Sequence, residues 1–315
     1  MRILVTGSIA YDLLLSYDGS FASAIDPKNI EALSLAFVTP HFAKHHGGTG
    51  ANISWTLALL GQSPLLVGTV GNDGGTYTAL LEERGVRTDH IEKLQDAATS
   101  TAILATDSAE RQIIFYHPGA DAKGTWPDLA DDRDDLGYAI ISPREVKMMI
   151  RGAEWCREFG VPYLFDPGQQ LMALSTDELK RTAQAAAGVI TNAYEWGLLS
   201  DRLRCSTDDF LEWTKYLIVT HSEEGLTLYT KGSTLVVPAC KADRVVNPTG
   251  AGDALRAGLL TGLAAKWPLP IAARLGASVA SFVVEQEGTL LDSLDLNAVL
   301  GRAEVTYGEM LPELP

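Results

Sequence analysis

From residue 138 onward, short apolar runs alternate with longer stretches whose apolar positions recur every three or four residues. The runs 138–141, 162–165, 188–191 and 216–220 read as strands, and 145–159, 176–187 and 207–214 read as helices. This alternation predicts a mainly parallel sheet, and strands that are apolar at every position require helices on both faces. Earlier in the chain, 3–6 reads as a buried strand, 64–70 as a strand and 74–85 as a helix. The runs 100–106 and 111–116, joined by Asp107-Ser108-Ala109-Glu110, form a hairpin signal. The runs 226–229 and 235–237 suggest an antiparallel extension, followed by a long helix over 271–285. Residues 18–46 lack a helical period; short apolar pieces such as 33–38 lie among Pro27 and Pro40, as expected of strands outside the main sheet. There is neither an internal repeat nor a low-complexity linker.

Polar residues gather just after the predicted strands: Asp12, Ser142, Arg144, Asp166, Asn192, Glu195 and Thr220. Open α/β sheets bind ligands at these carboxyl ends. Asp12 can shape a turn there or accept hydrogen bonds from substrate hydroxyls. Two glycine-rich segments run into predicted helices. Gly47-Gly48-Thr49-Gly50-Ala51-Asn52 precedes an apolar helix that ends near Gly61. It is not G-x-G-x-x-G after a strand, so a dinucleotide fingerprint and a nicotinamide-dependent dehydrogenase are disfavoured. Asn247-Pro248-Thr249-Gly250-Ala251-Gly252-Asp253 opens a helix running to about residue 265. Its free amides and the helix dipole make an anion site. A carboxylate beside a bound phosphate then needs a reason. Asp253 either stabilises the helix N-terminus or takes a proton from a hydroxyl that attacks phosphorus.

The chain has 315 residues, 46% of them hydrophobic, which fits one large domain with a smaller appendage. A net charge of −15 argues against nucleic acid or an anionic membrane as the main partner. Cys156, Cys205 and Cys240 are odd in number and widely spaced, so packing in a reducing cytoplasm is expected. No apolar run has transmembrane length and the N-terminal run is too short for a signal peptide. His41, His45 and His46 lack the further ligands that a metal site needs. The five aspartates of 128–135 read as a solvated loop, with a bound cation a distant second.

Taken together, Gly47-Gly48-x-Gly50-x-Asn52, Asn192-Ala193-Tyr194-Glu195 and Thr249-Gly250-Ala251-Gly252-Asp253 with Ala257-Gly258 resemble, in order and spacing, the signatures of the ribokinase-like (PfkB) family of sugar and nucleoside kinases. The resemblance covers nearly the whole chain. It implies a doubly wound α/β kinase domain (1–12, 47–98 and 118–315) with a small β lid (13–46 and 99–117). It also implies transfer of the γ-phosphoryl group of ATP to a primary hydroxyl of a small-molecule sugar or nucleoside. In that scheme Asp253 is the base, and the amides of Gly250, Ala251, Gly252 and Asp253 form the anion hole. Asp12, Gly47, Gly48 and Asn52 hold the ribose, Asn192 and Glu195 organise Mg2+ and phosphate, and Thr220 and Gly225 meet the nucleotide. The distant glycine motif around Gly48 and the N-x-x-E element supply the substrate and metal sides a base would need, which favours catalysis at Asp253. A monomer or homodimer is compatible with such lids.

Two departures stand out. The family's nucleotide turn reads V-T-x-G-x-x-G, whereas here Ser222 replaces its first glycine. Asn247 replaces a common aspartate, which weakens a K+-type site nearby. Thr49 stands where ribokinases carry lysine, and 6–12 and 165–170 resemble the corresponding segments of bacterial adenosine kinases. Phe37, Phe115 and Tyr116 either pack on a purine or fill the lid's own core. The expected substrate is therefore a nucleoside, adenosine preferred, phosphorylated on its 5′-hydroxyl. Ribose or another neutral sugar is the alternative acceptor, and a nucleoside- or nucleotide-sensing protein on the same fold the alternative without turnover.

Overall fold

The computed structural model describes residues 1–25 and 34–314. In chain order, β1 (Arg2–Thr6), β2 (Ala10–Ser16), α1 (Phe21–Ala24), β3 (His41–Gly47) and α2 (Thr49–Leu59) come first. They are followed by β4 (Leu65–Val70), α3 (Gly75–Arg84), β5 (Ile91–Lys93), β6 (Ser100–Thr106) and β7 (Gln112–His117). Then come β8 (Leu136–Ile141), α4 (Val146–Phe159), β9 (Tyr163–Phe165), α5 (Thr176–Ala185), β10 (Gly188–Asn192) and α6 (Ala193–Leu203). The chain continues through α7 (Thr207–Leu211), β11 (Tyr216–Thr220), β12 (Leu226–Thr230) and β13 (Ser233–Val237). It ends with α8 (Ala251–Ala264), α9 (Leu269–Val283) and α10 (Leu296–Tyr307).

The larger sheet has nine strands in the order β13-β12-β11-β10-β9-β8-β1-β4-β5. All pairings from β11 to β5 are parallel, and β12 and β13 extend the sheet antiparallel. Both faces are apolar, as the uninterrupted runs predict. Ile3, Val5, Ile140, Leu164, Ile190 and Ile218 pack toward α2, α8, α9 and α10. Leu4, Ala139, Ile141, Phe165, Val189 and Leu217 pack on the opposite side with α4 and α5. The chain leaves β1 in one direction to β4 and β5 and in the other to β8 through β11. The resulting switch point, between β1 and β8, leaves a crevice at the strand ends.

The smaller sheet runs β3-β2-β6-β7. Its strand β2 starts at Ala10 and pairs through Ala10–Gly47 with β3 and through Ala10–Ser100 with β6. Residues 10–12 thus lie in the small sheet and not in the 1–12 segment expected of the large unit, and Asp12 sits on a strand instead of in a turn. Of the apolar piece expected at 33–38, Leu33, like Pro27, lies outside the described residues, and 34–38 form no strand.

Two polar groups read as exposed or ligand-facing prove structural. Arg144 is fully buried, donating to Asp121 at 2.6 Å, to Thr6 and Thr69 hydroxyls at 3.2 and 3.0 Å, and to Val67 O at 3.0 Å. It ties β1, β4 and the 119–123 turn together beneath the crevice. Asp132, in the five-aspartate loop, is buried, 2.6 Å from Arg87 and 2.8 Å from His90. That part of the loop is an ion-pair anchor instead of a solvated surface.

Candidate active site

The loop into α8 has a local cause for each of its turns. Asn247 Oδ1 accepts the Thr249 N–H at 2.8 Å, the turn that an aspartate there would also make. Ala251 N–H then closes a four-residue turn on Pro248 O at 3.2 Å, with Gly250 at φ +86° in the left-handed region open to glycine. The Val284 carbonyl accepts both Val246 N–H and Asn247 N–H, which ties the start of this loop to the end of α9. Of the four amides assigned to the anion hole, Ala251 N–H is therefore committed to the turn. Among the described residues, those of Gly250, Gly252 and Asp253 have no protein acceptor. They point outward from the positive end of a 14-residue helix.

The corresponding amides of α2 are not free. Gly50 and Ala51 N–H donate to Ser8 O, and Thr49 N–H donates to Ser8 Oγ. Gly48 allows this crossing: it has φ +93°, and a Cβ there would lie 2.6 Å from Ala10 N and Ser8 O. The glycine motif at 47–50 thus serves close passage of two chain segments. The Gly47 position abuts the Asp12 carboxylate, so a larger residue there would displace it.

Asp253 Oδ2 accepts Asn52 Nδ2–H at 2.8 Å, and Asn52 Oδ1 accepts the Thr289 hydroxyl at 2.9 Å. Thr289 also lies 3.1 Å from His46 O and against Gly250, so one side chain joins β3, α2 and the α8 loop. Burial raises the Asp253 carboxyl from 3.8 to about 6, opposed by Arg256 and the Asn52 bond. Asp12 is likewise raised from 3.8 to about 6 by burial, with His45 across the strand pair opposing.

Beyond Asp253, α8 carries Arg256. Its Nε donates to Asp166 Oδ2 at 2.5 Å and its Nη1 to Gly252 O at 2.8 Å. Burial disfavours the guanidinium charge, but Asp166, Asp253 and Glu195 more than offset it and raise its pKa. Asp166 Oδ1 is buried without a partner. Asn192 and Glu195 form a reciprocal capping box at the start of α6, each accepting the other's backbone N–H at 2.8 Å. The N-x-x-E spacing is thus also the local sequence signal that starts that helix. Glu195 is raised chiefly by burial, lowered by the Asn192 N–H, and influenced by both Asp166 and Arg256. Thr220 adjoins Asn192 across the β10–β11 pair.

Ser222, in place of the family's glycine, takes φ +53°, a left-handed conformation that glycine adopts more readily. At Gly225 a Cβ would strike the Val237 carbonyl and Ala239 amide; this glycine accommodates a backbone crossing.

One candidate is redirected. In register, His45, Asp12, Ala102 and Tyr116 form one row across the small sheet. Paired residues share a face. Phe115 pairs with Ile103, which in turn pairs with Leu13; this row projects from the opposite face, and Phe115 is 64% exposed. Tyr116, not Phe115, stands with Asp12. Sequence reading also left out Thr289 and Arg256. The latter lies three residues after Asp253, one helical turn on the same face; Thr289 had no local signal at all.

The sequence of the pfkB family carbohydrate kinases matches residues 2–295. A nucleoside kinase of Methanocaldococcus jannaschii is 30% identical over 268 residues, which cover 84% of this chain and 87% of that protein. The structure of Burkholderia thailandensis nucleoside kinase in complex with inosine is similar with a TM-score of 0.88 at 30% identity, covering 98% of this chain and 99% of that one. The same enzyme in its ADP-inosine complex gives 0.85, covering 98% and 97%.

Proposed function

The chain belongs to the pfkB family of carbohydrate kinases, and from that premise we propose that it transfers the γ-phosphoryl group of ATP to the 5′-hydroxyl of a nucleoside. The observation that carries this reading is the pairing of a raised carboxyl with unpaired helix amides. Asp253, at about 6, is basic enough to take a proton and is ionised at neutral pH. It sits in the same helical turn as the free N–H groups of Gly250, Gly252 and Asp253. The 5′-oxygen forms a bond to the γ-phosphorus as its proton passes to Asp253. The bond from that phosphorus to the β,γ-bridging oxygen breaks, and ADP leaves with that electron pair. The amides hold the equatorial oxygens in transit, a task of alignment and charge neutralisation.

Asp12 on the small sheet and Asn52 on α2 are assigned to the ribose hydroxyls, and Tyr116 to the base. Thr220 and Gly225 are assigned to the side where the nucleotide lies. No group of three or more His, Cys, Asp or Glu side chains forms a metal site among the described residues. Mg2+ usually arrives on phosphate oxygens and takes only one or two carboxylates. The orphaned Asp166 Oδ1 and the nearby Glu195 fit that demand. When bound, the ion supplies further neutralisation of phosphate charge.

Adenosine is our proposed preferred acceptor, from the likeness of 6–12 and 165–170 to bacterial adenosine kinases. Inosine is its natural competitor, since the Burkholderia enzyme is described with it. The reaction is assigned to the cytoplasm, where ATP is supplied. The test is a phosphorylation screen of adenosine, inosine, other nucleosides and ribose with ATP and Mg2+. Turnover of adenosine well above the others is expected. Ribose outrunning every nucleoside overturns the nucleoside reading, and inosine ahead of adenosine overturns the preference.

A further inference from the structure

The nucleotide's phosphates would arrive beside three carboxylates. Asp253, Asp166 and Glu195 all act electrostatically on one another or on Arg256. An anionic phosphoryl group would be repelled there unless a cation stood among them; Arg256, bonded to Asp166 and stabilised by the charges of Asp253 and Glu195, is such a cation. It is also the best-anchored group in the cluster. Asp166, itself 1% exposed, holds Nε, and the Gly252 carbonyl holds Nη1. Its side chain doubles back along α8 toward the helix start, as helical side chains do. Nη1 lies so close to Gly252 that a Cβ there would sit 2.9 Å from it. The guanidinium therefore lies beside Gly252, whose amide, like those of Gly250 and Asp253, has no protein acceptor among the described residues. Nη2 makes no hydrogen bond among the described residues.

We propose that Arg256 is a catalytic residue for the phosphoryl-transfer reaction, using its free Nη2 to bind the phosphoryl group in transit while Asp166 and the Gly252 carbonyl hold it in place. This rests on the kinase reading above and adds to it a side-chain cation beside the backbone amides. Arginine suits the task because its planar fork keeps one edge on the carboxylate while presenting other N–H groups to phosphate oxygens. Arg256 neither takes nor gives a proton; it offsets the charge on the phosphoryl oxygens as the bond to the β,γ-bridging oxygen breaks. Asp166 acts as its positioning residue.

The alternative is that the ion pair only pins α8 to the end of β9. Both Arg256→Gln and Arg256→Lys serve to separate the two, beside the intact protein. Our proposal expects kcat of Arg256→Gln to fall by about 10²-fold or more, with nucleoside KM changed less than about threefold. Arg256→Lys should restore part of the loss. It further expects Arg256→Gln to lose most of its affinity for ADP with aluminium fluoride and Mg2+, a mimic of the group in transit, while affinity for ADP alone is kept. A structural pin would instead lower Tm and weaken ADP and its fluoride complex alike. Equal losses for both ligands, or an unchanged kcat in Arg256→Gln, overturn the proposal. If the intact protein phosphorylates no nucleoside, the acceptor reading fails. The Arg256 proposal is then decided by the aluminium fluoride comparison alone.

Discussion

Asn52 and Asp253, 201 residues apart in sequence, meet side chain to side chain at 2.8 Å. The bond joins the first turn of α2 to the first turn of α8, and Thr289 secures its far end through Asn52 Oδ1. Because Asp253 Oδ2 is held by this donor, the carboxylate is fixed in orientation, and Oδ1 is the oxygen our proposal uses to take the substrate proton. A carboxylate that merely capped its own helix would accept that helix's amides, and this one does not.

Replacing Asp253 with Asn should lower kcat by about 10²-fold or more, the usual loss when a general base is removed. Nucleoside binding, measured by calorimetry, should survive. Near-normal turnover would exclude Asp253 as the base.

The same carboxyl predicts a pH dependence. With Asp253 at about 6, kcat/KM should rise as pH increases through about 6, because only the ionised form accepts a proton. A profile flat from pH 5 to pH 8 would contradict this.

Stability should run the opposite way. Asp253 and Asp12 are both raised from 3.8 to about 6, so each binds its proton more tightly folded than unfolded. Their contribution to stability is fully present below about 4 and is lost as pH rises through about 6. Asp253→Asn should therefore gain on the order of 1 kcal/mol over the parent at pH 8, discounting for solvent access. Denaturant titrations at pH 4 and pH 8 measure this; an advantage confined to pH 4 would reverse the sign.

Asn52→Ala removes a donor that lowers the Asp253 carboxyl. The acid limb of the rate profile should move to higher pH, and nucleoside KM should rise about tenfold, the scale of one lost hydrogen bond. An unshifted limb with unchanged KM would remove Asn52 from both roles.

On the small sheet, Tyr116→Ala should raise nucleoside KM by about tenfold, while Phe115→Ala, on the far face, should leave it within about twofold. The reverse pattern would mean that the sheet meets the substrate with its other side.

The sequence by itself determined the alternating strands and helices from 138 onward, because uninterrupted apolar runs and three-to-four-residue spacing are local properties of the chain. It also determined the helix at the 249–253 motif and the family, because glycine and capping chemistry act over a few residues. The capping box of Asn192 and Glu195, which starts α6, is just as local. What only the tertiary structure decided was which side chains meet. Strand pairing placed Asp12 on the small sheet and set Tyr116, not Phe115, in its row, since a strand's faces are distinguishable only once its register is known. Burial raised Asp253 and Asp12 to about 6 and turned Arg144 into an internal tie. Packing of distant segments brought Thr289 to Asn52 and Asp166 to Arg256. These are long-range contacts, and no local pattern encodes them.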